Sequence, residues 1–235
     1  MNFAVPRSRF EIPKAIFEDS LREVLTAETF FFGSHYLNLI AESKRMFESP
    51  HVIPVGSCAL GLLAILKTLN IGPGCEVITV PNTSALFANI ILQSGADLVF
   101  CDIDSRSFCM DSLSLAEQIG PRTKAIIPVH LYGMPANMWE IAKVAGTIPI
   151  IEDASHALGA TIGGLTIKTK AVGTFGEFGI FSFAPGNIIS TVADGGMIFC
   201  HDDKMAADLQ HHIATTFNAL LPEFHAATIV KQLDD

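Results

Sequence analysis

The run Ile150-Ile151-Glu152-Asp153-Ala154-Ser155-His156 carries the densest chemistry in the chain: an apolar stretch opens into two carboxylates, and a histidine follows three residues after the second. A carboxylate at the mouth of a buried strand can hold a proton on the ring nitrogen of a ligand, and the imidazole can approach that ring's edge or face. The same residues also suit a carboxylate that caps the following turn and a histidine satisfied in the core, and the spacing leaves both readings open. A second point is Gly56-Ser57-Cys58, where a strand-like run gives way to a helix-like one. Free backbone N–H groups, a hydroxyl and the positive end of a helix dipole meet there, which makes a phosphate cup; a plain N-cap has the same composition. Between Ala171 and Asp203 there is no Lys or Arg, so the run Phe181-Ser182-Phe183-Ala184-Pro185-Gly186-Asn187 brings no amine or guanidinium.

Positioning these groups falls to strands alternating with helices. Apolar runs predict strands at 52–55, 77–80, 98–101, 125–129, 148–151, 179–183 and 197–199. Helical spacing is predicted over 13–26 with Pro13 near the first turn, from Cys58 through Leu60, Leu63 and Leu66 until Gly72-Pro73-Gly74, over 84–93, and near 111–119 and 136–145. This alternation predicts an α/β fold with a largely parallel sheet covered on both faces. Ligands in such sheets gather at the carboxyl ends of the strands, where Ser57 and Asp153 fall. No repeat, low-complexity segment or linker interrupts the chain, so one domain is expected over 1–235: an arm and helices over 1–50, a sheet core over 51–200 and a helical tail over 201–235.

The 235 residues, 49% hydrophobic with mean hydropathy +0.41, supply an ample core. A net charge of -9 with 15 Lys+Arg, none in a basic run, argues against a nucleic-acid surface or an anionic-membrane anchor and favours proteins or small molecules as partners. The five cysteines (Cys58, Cys75, Cys101, Cys109, Cys200) form no CxxC pair and are expected to be reduced core residues, with no metal site. The N-terminal run lacks the pattern of a signal peptide and no apolar run is long enough to span a bilayer, so a soluble, cytoplasmic protein is expected.

Several segments, in register over about residues 10–200, resemble the DegT/StrS-type sugar aminotransferases, a branch of the fold-type I pyridoxal-phosphate (PLP) enzymes. They are Val55-Gly56-Ser57-Cys58-Ala59-Leu60, Ile71-Gly72-Pro73-Gly74-Cys75-Glu76-Val77-Ile78, Val99-Phe100-Cys101-Asp102-Ile103-Asp104, and Thr123-Lys124-Ala125 running on to His130-Leu131-Tyr132-Gly133. Glu152-Asp153-Ala154-Ser155-His156-Ala157 and Phe181-Ser182-Phe183 with Asp194-Gly195-Gly196 complete the set. The resemblance implies the three-layer α/β/α large domain of the aspartate-aminotransferase type, with a mostly parallel mixed sheet. It also implies roles: Ser57 and the Cys58 N–H as the phosphate cup, Asp153 as partner of the pyridinium nitrogen, His156 as the group facing the cofactor, and Ser182 as a second phosphate ligand.

Other positions depart from the family's pattern. The aromatic ring expected over the cofactor falls at Ser84, in a Val80-Pro81 segment one residue short, and the Schiff-base lysine falls at Asn187. Asn218 matches an asparagine that reaches the neighbouring subunit's phosphate, but Leu220 stands where an arginine is expected. The chain stops at Asp235, where the resemblance implies a C-terminal small domain, and that domain is expected to be missing. These departures lead to the expectation of an aminotransferase-like protein that does not transaminate alone. It would bind PLP or pyridoxamine phosphate (PMP) noncovalently, or a nucleotide-sugar-like ligand, and pair as a homodimer or with a full-length paralogue. The alternative is a PMP-dependent sugar dehydratase-like enzyme, or a repurposed pocket with different chemistry around Asp153 and His156, the latter a possible base.

Overall fold

The computed structural model describes residues 12–164 and 167–233; the expected arm over residues 1–11 lies outside them. Two helices, α1 (Lys14–Ala27) and α2 (Ser34–Phe47), precede β1 (His51–Val55), α3 (Cys58–Thr68), β2 (Glu76–Thr79), α4 (Ala85–Gln93) and β3 (Asp97–Phe100). Next come α5 (Ser112–Gln118), β4 (Thr123–Ile126), α6 (Met138–Ala145) and β5 (Ile151–Asp153). A hairpin of β6 (Thr161–Gly164) and β7 (Ile167–Ala171) leads to β8 (Phe178–Ser182) and β9 (Gly196–Cys200). Helix α7 (Asp203–His211), a π-helical turn at His212–Thr216 and α8 (Glu223–Leu233) follow.

Ladders join β1-β9-β8-β5 and β3-β2-β4, and parallel bridges between Ile126 and Ile150 and between Val129 and Asp153 set β4 beside β5. The sheet therefore runs β1-β9-β8-β5-β4-β2-β3. Only β9 is antiparallel to its neighbours within it; the other ladders are parallel. Alternation of side chains along β8 and β9 sends Phe178, Ile180, Ile198 and Cys200 to a cluster with Leu62, Ile65 and Leu66 of α3 and Leu209 of α7. It sends Phe181, Met197 and Phe199 to the opposite cluster, with Leu39 and Phe47 of α2 and Ile229 of α8. Burial on both faces is why these strands read as unbroken apolar runs. On the other half of the sheet, Ile78 and Ile126 pack with Leu115 of α5 and Met138 and Ile141 of α6. The result is the expected mixed-sheet α/β fold with helices on both faces.

Sequence boundaries shift where a strand's apolar run and its ladder differ. The strand expected at 148–151 pairs as Ile151–Asp153, because its register with β8 sets Ile151 opposite Phe178 and Asp153 opposite Ile180. The run at 125–129 starts earlier, at Thr123, and its ladder ends at Ile126. Pro13 is the N-cap of α1 rather than part of its first turn. The β6–β7 hairpin carries Gly163, Gly164 and two lysines and gave no apolar signal. Among the described residues, no helix is long and apolar enough to cross a membrane.

One long-range contact closes the helical layer. Glu223, at the start of α8, is 2% exposed, and its carboxylate accepts N–H bonds from Gly33 (2.9 Å), His35 (2.6 Å) and Tyr36 (3.2 Å). Helix α2 has no capping side chain of its own, so Glu223 satisfies its first-turn donors from 190 residues away. Its own N–H donates to Phe30 O at 2.8 Å. Glu223→Ala should cost on the order of 2 kcal/mol, as a lost helix cap with charge-assisted bonds does. Glu223→Gln, which keeps one acceptor oxygen, should cost less. Urea unfolding would report both as lowered midpoints at unchanged slope.

Candidate functional site

A cavity of about 540 Å³ lies where strand ends converge. Its wall takes Cys58 after β1, Asn82, Thr83 and Ser84 after β2, Val129, Leu131 and Tyr132 after β4, Asp153 at the end of β5, and Ser182 at the end of β8. Asp194 precedes β9, whose reversed direction brings its start to the same side. Ser155, His156 and the turn Ala184-Pro185-Gly186-Asn187 complete the wall with Leu86 and Phe87. This is the carboxyl edge at which ligands bind in sheets of this kind.

Asp153 is 5% exposed. Its Oδ1 accepts the Ser155 N–H at 3.1 Å, so the turn-capping and pocket-facing readings both hold. Burial pushes its carboxyl above the ordinary 3.8, against hydrogen bonds from Ser155 and the nearby imidazoles of His156 and His130. Burial, together with Asp153 and Asp194, pushes the Cys58 thiol well above its ordinary value, so it stands in the wall as a neutral thiol and not as a nucleophile.

The neighbouring carboxylate does something else. Glu152 is fully buried and accepts N–H bonds from Phe175 (2.6 Å), Gly176 (2.8 Å) and Gly173 (3.0 Å). Its Oε2 also lies 3.0 Å from His130 Nε2. His130 Nδ1 accepts the Ala136 N–H at 2.9 Å, so Nε2 carries the hydrogen given to Glu152. Glu152 is thus an internal fastener, and of the two carboxylates only Asp153 faces the cavity.

The segment after His130 forms the rim. Met134 N–H bonds Leu131 O at 2.9 Å across Tyr132 and Gly133, whose φ values are 54° and 80°. Gly133 suits that backbone, whereas an L side chain such as Tyr132 pays about 1–2 kcal/mol there. Tyr132 is nonetheless 81% exposed, its ring centroid 6.3 Å from that of His156 and inclined by 25°.

Six of the expected residues, Cys58, Ser84, Asp153, His156, Ser182 and Asn187, share this wall. Ser57 and Asn218 are not on it. Ser57 is the N-cap of α3, its hydroxyl accepting the Leu60 N–H at 3.4 Å; the Cys58 and Ala59 N–H groups of that first turn have no intrahelical acceptor. Ser84 caps α4 by accepting the Leu86 N–H. Asn218 is exposed with φ 47°, beside Ala219, whose carbonyl accepts the Gly56 N–H at 2.8 Å. A side chain at Gly56 would meet the Leu220 carbonyl 2.5 Å away, so only glycine lets the tail approach the α3 entry. Asn187 donates Nδ2–H to Ala184 O at 3.2 Å. Asn82, Thr83 and Tyr132 were not singled out, since their chemistry rests on burial and backbone shape.

These residues fit a ring phosphate held without a covalent bond. Asp153 is buried with no Lys or Arg beside it on the described wall, and Asn82 Oδ1 and Thr83 Oγ1 are buried on that wall without hydrogen-bond partners. The open helix entry at α3 suits a phosphate. They do not fit a covalent link through a wall lysine. A carboxyl whose pKa rises on folding contributes stability below its unfolded value of 3.8 and loses it as pH climbs through the folded value. Asp153→Asn should therefore raise Tm at neutral pH, and the gain should shrink to nothing as pH falls below 3.8, as read by thermal melts across pH.

Residues 13–234 match the family model described as the DegT/DnrJ/EryC1/StrS aminotransferase family. The chain is 35% identical over 220 residues to a UDP-N-acetyl-3-dehydro-alpha-D-glucosamine 3-aminotransferase from Acidithiobacillus ferrooxidans, covering 88% of this chain and 58% of that protein. An aminotransferase structure from Psychrobacter cryohalolentis superposes with TM-score 0.87 at 26% identity, over 97% of this chain and 64% of that one. NtdA from Bacillus subtilis, solved with bound PMP, shares the fold at TM-score 0.83 and 24% identity, over 94% of this chain and 52% of that one. The chain thus spans a little over half the length of such relatives. Its fold is that of the fold-type I PLP-dependent aminotransferases, and the chain belongs to the DegT/DnrJ/EryC1/StrS aminotransferase family.

Proposed function

We propose that this chain holds a pyridoxal-type ring phosphate by noncovalent contacts, in the setting of nucleotide-sugar amination, and does not transaminate alone. The observation that carries the reading is a buried Asp153 on a cavity wall that includes neither Lys nor Arg among its described residues. Asp153 would keep a proton on the ring nitrogen, while the first-turn N–H groups of α3 and the Ser182 hydroxyl would take the phosphate. Asn187 can offer its carboxamide oxygen, since its Nδ2 is already given to Ala184. It cannot take up a proton as a lysine amine does, and losing a positioned base lowers rates by about 10²–10⁴. When bound, the ring supplies an electron sink for a substrate's amino or keto carbon.

The UDP-sugar aminotransferase relative supports a nucleotide-sugar-like ligand, and NtdA's bound PMP supports the ring class. Pairing with a second copy or a longer paralogue follows from two features. Asn218, which the resemblance would have reach a neighbouring subunit's phosphate, is exposed and off the wall of this chain's own cavity, and Phe30, Phe31, Phe32 and Leu37 are all more than two-fifths exposed around the α2 entry. One observation favours the rival dehydratase-like or repurposed reading: His156 remains on the wall as an imidazole that can accept a proton.

Titration with PLP, followed by ring absorbance, borohydride reduction and intact mass, tests the proposal. Saturable binding without added mass is expected, and Asn187→Lys should gain a borohydride-fixed adduct. A fixed adduct on the unaltered protein, or no saturable binding, would sink it.

A further inference from the structure

We infer that Tyr132 is a ligand-contacting residue. With His156 it forms a platform at the cavity rim on which a planar heteroaromatic ring of a phosphate-bearing ligand stacks. The inference rests on the reading of the cavity as a ring-phosphate site and adds the residue that contacts the ring at its entrance. Three observations carry it. The Tyr132 backbone is held at φ 54°, a conformation that a tyrosine adopts only under constraint. Apart from the ring of His156 little packing offsets this, because the residue is 81% exposed. A strained, exposed aromatic at a cavity mouth marks a position held for contact rather than for stability.

The second observation is the paired ring. Tyr132 and His156 lie 25° from parallel with centroids 6.3 Å apart, and both line the cavity with Asp153 and Asn187. Near-parallel rings present flat faces, and flat faces favour planar partners over flexible or tetrahedral ones. The third is rigidity. Gly133 N–H bonds His156 O at 2.8 Å, so the turn and the histidine move as one unit. Two residues before Tyr132, His130 is fixed at 0% exposure between Glu152 and the Ala136 N–H. A platform organised before the ligand arrives loses little freedom on binding.

Such a ring has two sources, the pyridine of the cofactor or the base of a nucleotide, and separate calorimetric titrations with PMP and with uridine diphosphate distinguish them. Tyr132→Asn is the informative variant, because asparagine tolerates the left-handed backbone. It should raise Tm by about 2 °C or more and weaken one probe by about 5-fold or more, while Tyr132→Phe stays within about two-fold. Weakened PMP binding assigns the stacked ring to the cofactor, and weakened uridine diphosphate binding assigns it to the nucleobase. Unchanged affinity for every probe that binds overturns the platform while leaving the cavity reading intact. A fall in Tm with Tyr132→Asn, or loss of a dimer at unchanged affinity, also overturns it. Failure of both probes to bind the unaltered protein overturns the cavity reading and the platform together.

Discussion

The buried carboxylate of Glu152 is the constraint on which the site depends. It is fully enclosed, and a charge in that position is tolerable only because four donors surround it: three backbone N–H groups from residues 173–176 and the His130 imidazole. The donors lie on two paths into the site, and Glu152 itself lies on a third. The loop 173–176 leads into β8 and so to Ser182; His130 leads into the Tyr132 rim; Glu152 itself precedes Asp153. One side chain below the sheet therefore sets the relative positions of groups above it, and alternation along β5 is what separates the two roles.

Above the sheet the electrostatics are one-sided. Asp153 and Asp194 face the cavity, Cys58 is held as a neutral thiol, and the described wall includes no Lys or Arg. Such a wall attracts a protonated ring nitrogen or an amine and has only N–H and O–H groups to offer an anion. On the proposed reading a phosphate would be held by dipoles, at the α3 entry, rather than by ion pairs. That arrangement is compatible with reversible occupancy, and it makes retention depend on contacts at the rim as well as on the floor.

Much of this was legible in the sequence, and the misses have physical causes. The strands β8 and β9 were visible because burial on both faces leaves no polar residue to break the run. Asp153 was visible because it closes a pair of carboxylates into which the apolar Ile148-Pro149-Ile150-Ile151 run opens, a pattern that marks a strand's end. Glu152 carried no role of its own in the sequence, since spacing gives two adjacent acids and says nothing of which face each takes. Tyr132 was invisible as a rim residue: its signal is a backbone angle, and a Tyr-Gly pair carries none of the usual turn composition. Asn82 and Thr83 read as part of a shortened segment, and only their unpartnered buried atoms distinguish them.

The clasp between Glu223 and the entry of α2 bears on the order in which the fold can form. Helix α2 belongs to the first fifth of the chain, yet the acceptor for its first-turn N–H groups arrives 190 residues later. Strand β1 is in the same position, since its ladder partner is β9. During synthesis the early helices and the sheet edge must wait, uncapped and unpaired, while the β2–β5 half can assemble from nearer contacts. Loop closure over such separations is slow, and the waiting surfaces are apolar. Docking of the early helices thus waits on α8, and the interval before α8 docks is when the exposed Phe30-Phe31-Phe32 run is most open to misassembly or to capture by a chaperone.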